Sequence, residues 1–179
     1  MTDQPTRGTR RVGTVMLVLA WVVGLALAAH WFSGIEQERR NPNQNPDSQV
    51  SGNVVEVRLE DNRNGHYVLS GEINGVLVTL LLDTGATMVA VPSDLALDLG
   101  LTRGAPFMVS TANGMAQSYR TRIDTLRIGE ILLHDVAAAI VPGMGGNEIL
   151  LGMSALRQLD FTQRGGELVL RQTLTETNR

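Results

Sequence analysis

Read by the rhythm of its apolar positions, the chain falls into three stretches. Residues 12–32 (VGTVMLVLAWVVGLALAAHWF) form an unbroken apolar run in which His30 is the one side chain able to carry a charge. About 20 helical residues cross a ~30 Å hydrocarbon layer, so the run predicts one transmembrane helix. Residues 33–50 hold only two aliphatic side chains, Ile35 and Val50, with Pro42 and Pro46 set among Asn and Gln. Such a segment cannot bury a core, and it predicts a flexible tether. From residue 51 the pattern changes to short segments alternating with a period of two, separated by Asn-Gly and Gly-rich breaks, which is the pattern of β-structure. The expected organisation is a short N-terminal stretch (1–11), a transmembrane helix (12–32), a tether (33–50) and one all-β domain with one or two short helices (51–179).

Arg7, Arg10 and Arg11 precede the apolar run, while Arg39 and Arg40 follow it among Glu36 and Glu38. That bias favours a cytoplasmic N-terminus and an exported C-terminal domain, with Trp31 at the depth of an interfacial aromatic. A cleaved signal peptide competes with a retained anchor, because Ala26-Leu27-Ala28 has the small-x-small form of a processing site. The apolar run exceeds the ~7–15 residues of a signal core, which favours the anchor. Ala20, Gly24 and Ala28 share one helix face and would let two such helices approach, although small residues are common in membrane helices anyway.

Within the domain, Val55, Val57 and Leu59 alternate with Glu56 and Arg58 and predict a half-buried strand ending at Asp61-Asn62-Arg63-Asn64-Gly65. Residues 66–73 predict a second strand that turns at Asn74-Gly75, a type I′ hairpin signal, into residues 76–82. That third strand is nearly all apolar and is expected to be buried on both faces. Ser93 or Asp94 can cap a short helix through Leu99 that Gly100 ends, and residues 107–116 read as a hairpin tipped by Asn113-Gly114. Strands follow at 126–128, 131–133 and 136–141, then a glycine loop at 143–147, and a closing hairpin flanks Gly165-Gly166.

Composition then excludes chemistry. The chain has no cysteine, and all 15 of its basic residues are arginine, which removes thiol nucleophiles, disulfides and lysine-based catalysis or phosphate cradles. A net charge of -3 with scattered arginines and no interleaved aromatics gives no nucleic-acid footprint. His30, His66 and His134 stand alone without metal-ligand spacing, and Ser154 lacks the second glycine of a nucleophile elbow, so no metal and no cofactor are expected.

What stands out is Asp83, delivered at the end of an apolar strand and followed by Thr84-Gly85, a hydroxyl and a tight turn. A carboxylate there costs several kcal/mol unless it is hydrogen-bonded, paired or functional. Leu81-Leu82-Asp83-Thr84-Gly85-Ala86-Thr87 resembles the active-site signature of the retropepsin-like aspartic proteases. Ile149-Leu150-Leu151-Gly152 and residues 153–159 resemble that family's second apolar-apolar-Gly element and its short helix, and residues 107–116 lie where the family has its flap. The likeness covers about residues 52–171 and is nearest to the membrane-anchored, single-domain bacterial branch.

The resemblance implies a single-lobe acid protease fold with Asp83 catalytic, Thr84, Gly85, Ala86 and Thr87 supporting its loop, Ala112, Asn113, Gly114 and Met115 at the flap tip, and Leu150, Leu151 and Gly152 as the second element. It also implies a peptide or protein substrate and a domain on the periplasmic side of the bacterial inner membrane. This chemistry needs two carboxyls sharing one proton, and the chain holds one Asp-Thr-Gly, so the site requires a homodimer. The alternative is a non-catalytic, membrane-tethered module of the same fold that binds a peptide or partner. Ala86 stands where pepsins have a serine that donates to the carboxylate, and without that donor activity should extend towards neutral pH. A pH–rate profile checks this: a strictly acidic optimum that Ala86→Ser leaves unmoved would contradict it.

Overall fold

The computed structural model of the chain describes residues 7–111 and 114–174, which divide between Arg39 and Arg40 into two compact units. The first is the helix α1 (Arg7–Arg40), whose stretch from Gly13 is long and apolar enough to cross a membrane. Leu17, Trp21, Leu25 and Trp31 are all exposed on it. The helix outlasts the apolar run because Glu36, Gln37, Glu38, Arg39 and Arg40 are good helix formers. It stops before Pro42, whose ring disfavours helical backbone at Asn41.

The expected flexible tether at 33–50 differs from what is found. Its first eight residues, 33–40, are helical, and from Asn41 onward it is fastened to the β unit. Asn41 and Asn43 are 7% and 5% exposed. The Asn43 amide donates to the carbonyls of Glu60 (2.9 Å) and Val68 (2.7 Å), its side-chain oxygen accepts from the Glu60 N–H (2.7 Å), and its own carbonyl accepts from Ser70. Asn41 donates to Ser70 Oγ at 3.1 Å. The lack of aliphatic residues shows that this segment makes no core, yet an Asn side chain carries donors and an acceptor and can replace a strand's missing ladder partner. Beyond it β1 (Asp47–Ser51) pairs antiparallel with β2 (Val54–Glu60).

Two sheets make up the second unit. The smaller runs in the order β1-β2-β11-β10, with β10 (Asp160–Arg164) and β11 (Glu167–Thr173) forming the closing hairpin read from Gly165-Gly166. The larger contains β3 (Val68–Ile73), β4 (Val76–Leu82), β5 (Val89–Pro92), β6 (Pro106–Thr111), β7 (Gly114–Ile128), β8 (Ile131–Val141) and β9 (Glu148–Leu151), in the order β3-β4-β9-β5-β8-β7-β6. The far half of β7 also pairs with β3, so six of these strands close on one another. At the β3–β4 turn Asn74 and Gly75 have φ of 50° and 81°, as a type I′ hairpin requires. Fully buried Leu59, Leu80, Ile123, Val136, Ile140, Ile149 and Leu151 lie in one core with Leu156 of the short helix α2 (Met153–Leu156).

Two local expectations are corrected. Only Leu80 of β4 is fully buried; Leu77 is 73% exposed and Leu81 and Leu82 are half-buried, because one face of this strand is left open by the sheet. Residues 93–100 form successive turns rather than a helix, since Leu95 and Ala96 donate three residues back to Pro92 and Ser93 and the Ser93 hydroxyl bonds Asp94 in place of capping an amide.

Asn43→Ala should destabilise the domain by about 2–4 kcal/mol, since three bonds are lost and their partners stay buried, whereas exposed Asn45→Ala should fall within about 0.5 kcal/mol of wild type. Urea unfolding of the detergent-solubilised chain measures both.

Candidate active site

Asp83 follows the last residue of β4, and its position is set by the neighbouring strand. β9 runs parallel to β4 with Leu81 opposite Leu150 and Leu82 opposite Leu151, and the Asp83 N–H extends that ladder by donating to the Leu151 carbonyl at 3.1 Å. The chain then turns sharply: Asp83 Oδ1 accepts from the Gly85 N–H at 2.8 Å and the Asp83 carbonyl from the Ala86 N–H at 3.2 Å. This is an Asx turn, which aims the carboxylate along its own loop. Asp83 and Ala86 are half-buried, and Thr84, Gly85 and Thr87 are exposed.

The loop is clamped from below by the second element. Met153 N–H donates to the Ala86 carbonyl at 2.8 Å as β9 passes through Gly152 into α2. Gly152 sits so close to the loop that a methyl group there would run into the Met88 carbonyl and lie 2.8 Å from the Ala86 oxygen. The Ser154 hydroxyl completes the clamp, accepting from Val89 N–H at 3.0 Å and donating to the Ala137 carbonyl at 2.6 Å, so it joins the start of β5 to β8. Sequence reasoning weighed Ser154 only as a nucleophile. The available signal was a lone hydroxyl in an otherwise apolar helix, Met153-Ser154-Ala155-Leu156. Thr87, expected to support the loop, is exposed, and the contacts that brace the loop come from Gly152, Met153 and Ser154.

Leu151 is thus bonded to Asp83 and Gly152 lies against Ala86, while Leu150 is opposite Leu81 one step back along β4. β6 and β7 form the hairpin expected as the flap, with Thr111 opposite Gly114, and Met115 is exposed at its end. Ala112 and Asn113 lie outside the described residues. Among the described residues no three His, Asp or Glu side chains are placed to hold a metal ion.

A single lobe of mostly antiparallel strands, with Asp-Thr-Gly leaving one strand and an apolar-Gly element running parallel beside it, is the retropepsin-like aspartic protease fold. Residues 69–158, half of the chain and the span from β3 through α2, match the family described as gag-polyprotein putative aspartyl protease, and the chain belongs to that family. An uncharacterized protein in the cobV 5′ region of Sinorhizobium sp is 34% identical over 120 residues, covering 65% of this chain and 52% of that protein. The chain therefore spans about half the length of the curated relative it matches. The crystal structure of a retropepsin-like aspartic protease from Rickettsia conorii aligns with a TM-score of 0.55 at 23% identity, over 72% of this chain and 95% of that one, which shows the shared fold.

Gly152→Ala should push the Asp83 loop off β9 and cost about 2–4 kcal/mol, and Ser154→Ala, which strands a buried N–H, about 1–3 kcal/mol. Thermal unfolding ranks them, and Thr87→Ala should change stability least of the three.

Proposed function

We propose that the chain is an aspartic endopeptidase that works as a homodimer, hydrolysing peptide bonds with water activated between the Asp83 carboxylates of two copies. The observation that carries this reading is the state of Asp83. It stands half-buried at a strand end, one oxygen is tied to its own loop, and it has no ion-pair partner among the described residues. A cation beside it would make it a poor base; here the carboxylate is left available.

Attack on a peptide carbonyl needs one carboxylate to take a proton from water and one protonated carboxyl to support the developing oxyanion. Two carboxyls about 3 Å apart hold one proton jointly, because both cannot ionise at that distance. One copy supplies one of the two. Thr84 and Gly85 are exposed beside Asp83, on the surface that a second copy would cover, and by resemblance the Thr84 hydroxyl reaches across to the other loop. β10 is a sheet edge exposed at all five residues, with Phe161 41% exposed, and it offers unpaired backbone groups to a second chain. The β6–β7 hairpin would close over an extended peptide as the flap, with Ala112, Asn113, Gly114 and Met115 at its tip. With α1 retained as an anchor, the arginine bias favours a catalytic domain on the periplasmic side of a bacterial inner membrane.

Asp83→Asn should lower peptide cleavage about 10³-fold or more while the fold and self-association persist. Activity per chain should rise with enzyme concentration until dimers dominate, and excess Asp83→Asn chain should suppress the wild type by forming mixed dimers. Cleavage of a mixed peptide library that survives Asp83→Asn removes the assignment; a stable dimer that cleaves nothing points to the peptide-binding module.

A further inference from the structure

The strand register carries an inference about substrate that deepens the endopeptidase reading and rests on it. Residues opposite one another in adjacent strands present their side chains on the same face of a sheet. Leu81 of β4 is opposite Leu150 of β9, Leu150 opposite Ala90 of β5, Ala90 opposite Ala139 of β8, and Ala139 opposite Arg120 of β7. These five residues form one row across the larger sheet. Asp83 follows two residues after Leu81, just past the end of β4, so its loop leaves the sheet at this end of the row. Beside the row lies a second, with Met88 preceding β5, Ala137 on β8 and Arg122 opposite Ala137 on β7. The face carries three small residues, of which Ala139 is buried and Ala137 lines a cleft, and it runs from the Asp83 end of β4 to two guanidinium groups on β7.

A cleft of about 480 Å³ occupies its far end, lined among others by Met88, Ala137, Arg120, Arg122 and Asp124. The two arginines are not equivalent. Arg122 is held by Asp135, donating to its carboxylate at 3.0 Å and its carbonyl at 3.2 Å. Arg120 is exposed and has no ion pair among the described residues; its guanidinium lies 4.7 Å over the ring of Phe107, on the first strand of the flap hairpin. An aromatic face orients an arginine without neutralising it. Asp124, the one acid lining the cleft, is four residues along β7 from Arg120, roughly 13 Å away at strand rise, so the cleft is positive at Arg120 and negative at its other end.

We propose that Arg120 is a specificity residue that selects an extended peptide carrying Asp or Glu about three to five residues from the bond cut. The spacing follows from the row: four strand-to-strand steps of about 4.8 Å give roughly 19 Å from Leu81 to Arg120, shortened by the reach of the arginine itself, against about 3.3 Å per residue of extended peptide. Phe107 ties this recognition to the flap, so an acidic side chain bound at Arg120 also meets the base of the hairpin. Twofold pairing presents the same feature to both ends of the peptide.

The test compares two peptides of one sequence, with Glu or Gln at the outer position, using the full chain in detergent. The expected wild-type ratio of kcat/KM, Glu over Gln, is about tenfold, from one charge-assisted hydrogen bond. Arg120→Glu should bring that ratio below one, Arg120→Lys should retain part of it, and moderate salt should reduce it. A ratio near one in the wild type, or one that Arg120→Glu leaves within twofold, overturns the proposal. A second arm measures equilibrium binding of both peptides, fluorescently labelled, to Asp83→Asn. Should the wild type cleave nothing while Asp83→Asn still prefers the acidic peptide through Arg120, the endopeptidase reading falls and this inference stands; equal binding of the two overturns the inference.

Discussion

The parallel pairing of β4 with β9 is the contact on which the rest of the site depends. It carries the ladder one residue past the end of β4, so that the Asp83 amide is fixed by Leu151 while its carboxylate accepts from Gly85. It also delivers Gly152 beneath the loop at a distance no side chain tolerates, and there the Ala86 carbonyl meets the Met153 amide. A parallel pair cannot be made by a hairpin; it needs a long crossover. Here the crossover contains β5, β6, β7 and β8, so the β6–β7 hairpin and the strands beside it are the connection that this single pairing demands.

That dependence explains what could be read from the residues and what could not. Local signals were sufficient wherever structure is decided within a few residues: the Asn74-Gly75 turn, the Gly165-Gly166 hairpin, the alternation in β2 and the Asp-Thr-Gly loop all lie where the pattern puts them. Asn41 and Asn43 were misread because their partners, Ser70, Glu60 and Val68, are 17 to 29 residues away, and polar composition carries no record of distant hydrogen bonds. The open face of β4 was misread for a related reason. Seven consecutive residues, nearly all apolar, look doubly buried, but what they border depends on which strands the sheet places beside them. Ser154 and the row from Leu81 to Arg120 belong to the same class, legible only once strand order and register are known.

The half-exposed setting of Asp83 has a thermodynamic meaning of its own. A carboxylate fully buried in a lone lobe would cost several kcal/mol or take up a proton, and either outcome would penalise the folded single chain. Left half in water and tied to Gly85, Asp83 is compatible with a stable lobe whose core does not involve it. In the pairing proposed, the loss of water and the sharing of a proton then occur together, at association. The free energy that drives association has to come from elsewhere on the surface, since bringing two carboxyls together is unfavourable until one is protonated.

Such a division of labour also bears on how the lobe handles charge. At the dyad proposed, a fixed cation would favour the ionised state in both copies and defeat the sharing, so arginine would be useful only at a distance. The sheet supplies that distance: three alanines and two leucines separate Arg120 and Arg122 from the Asp83 end of the face, four strands away. Field from a solvated guanidinium falls off within a Debye length of about 8–10 Å, shorter than the roughly 19 Å of that row. In the reading proposed, Arg120 would therefore attract a substrate carboxylate at a distance from the paired Asp83 side chains, and the intervening strands of the sheet are what hold the two apart.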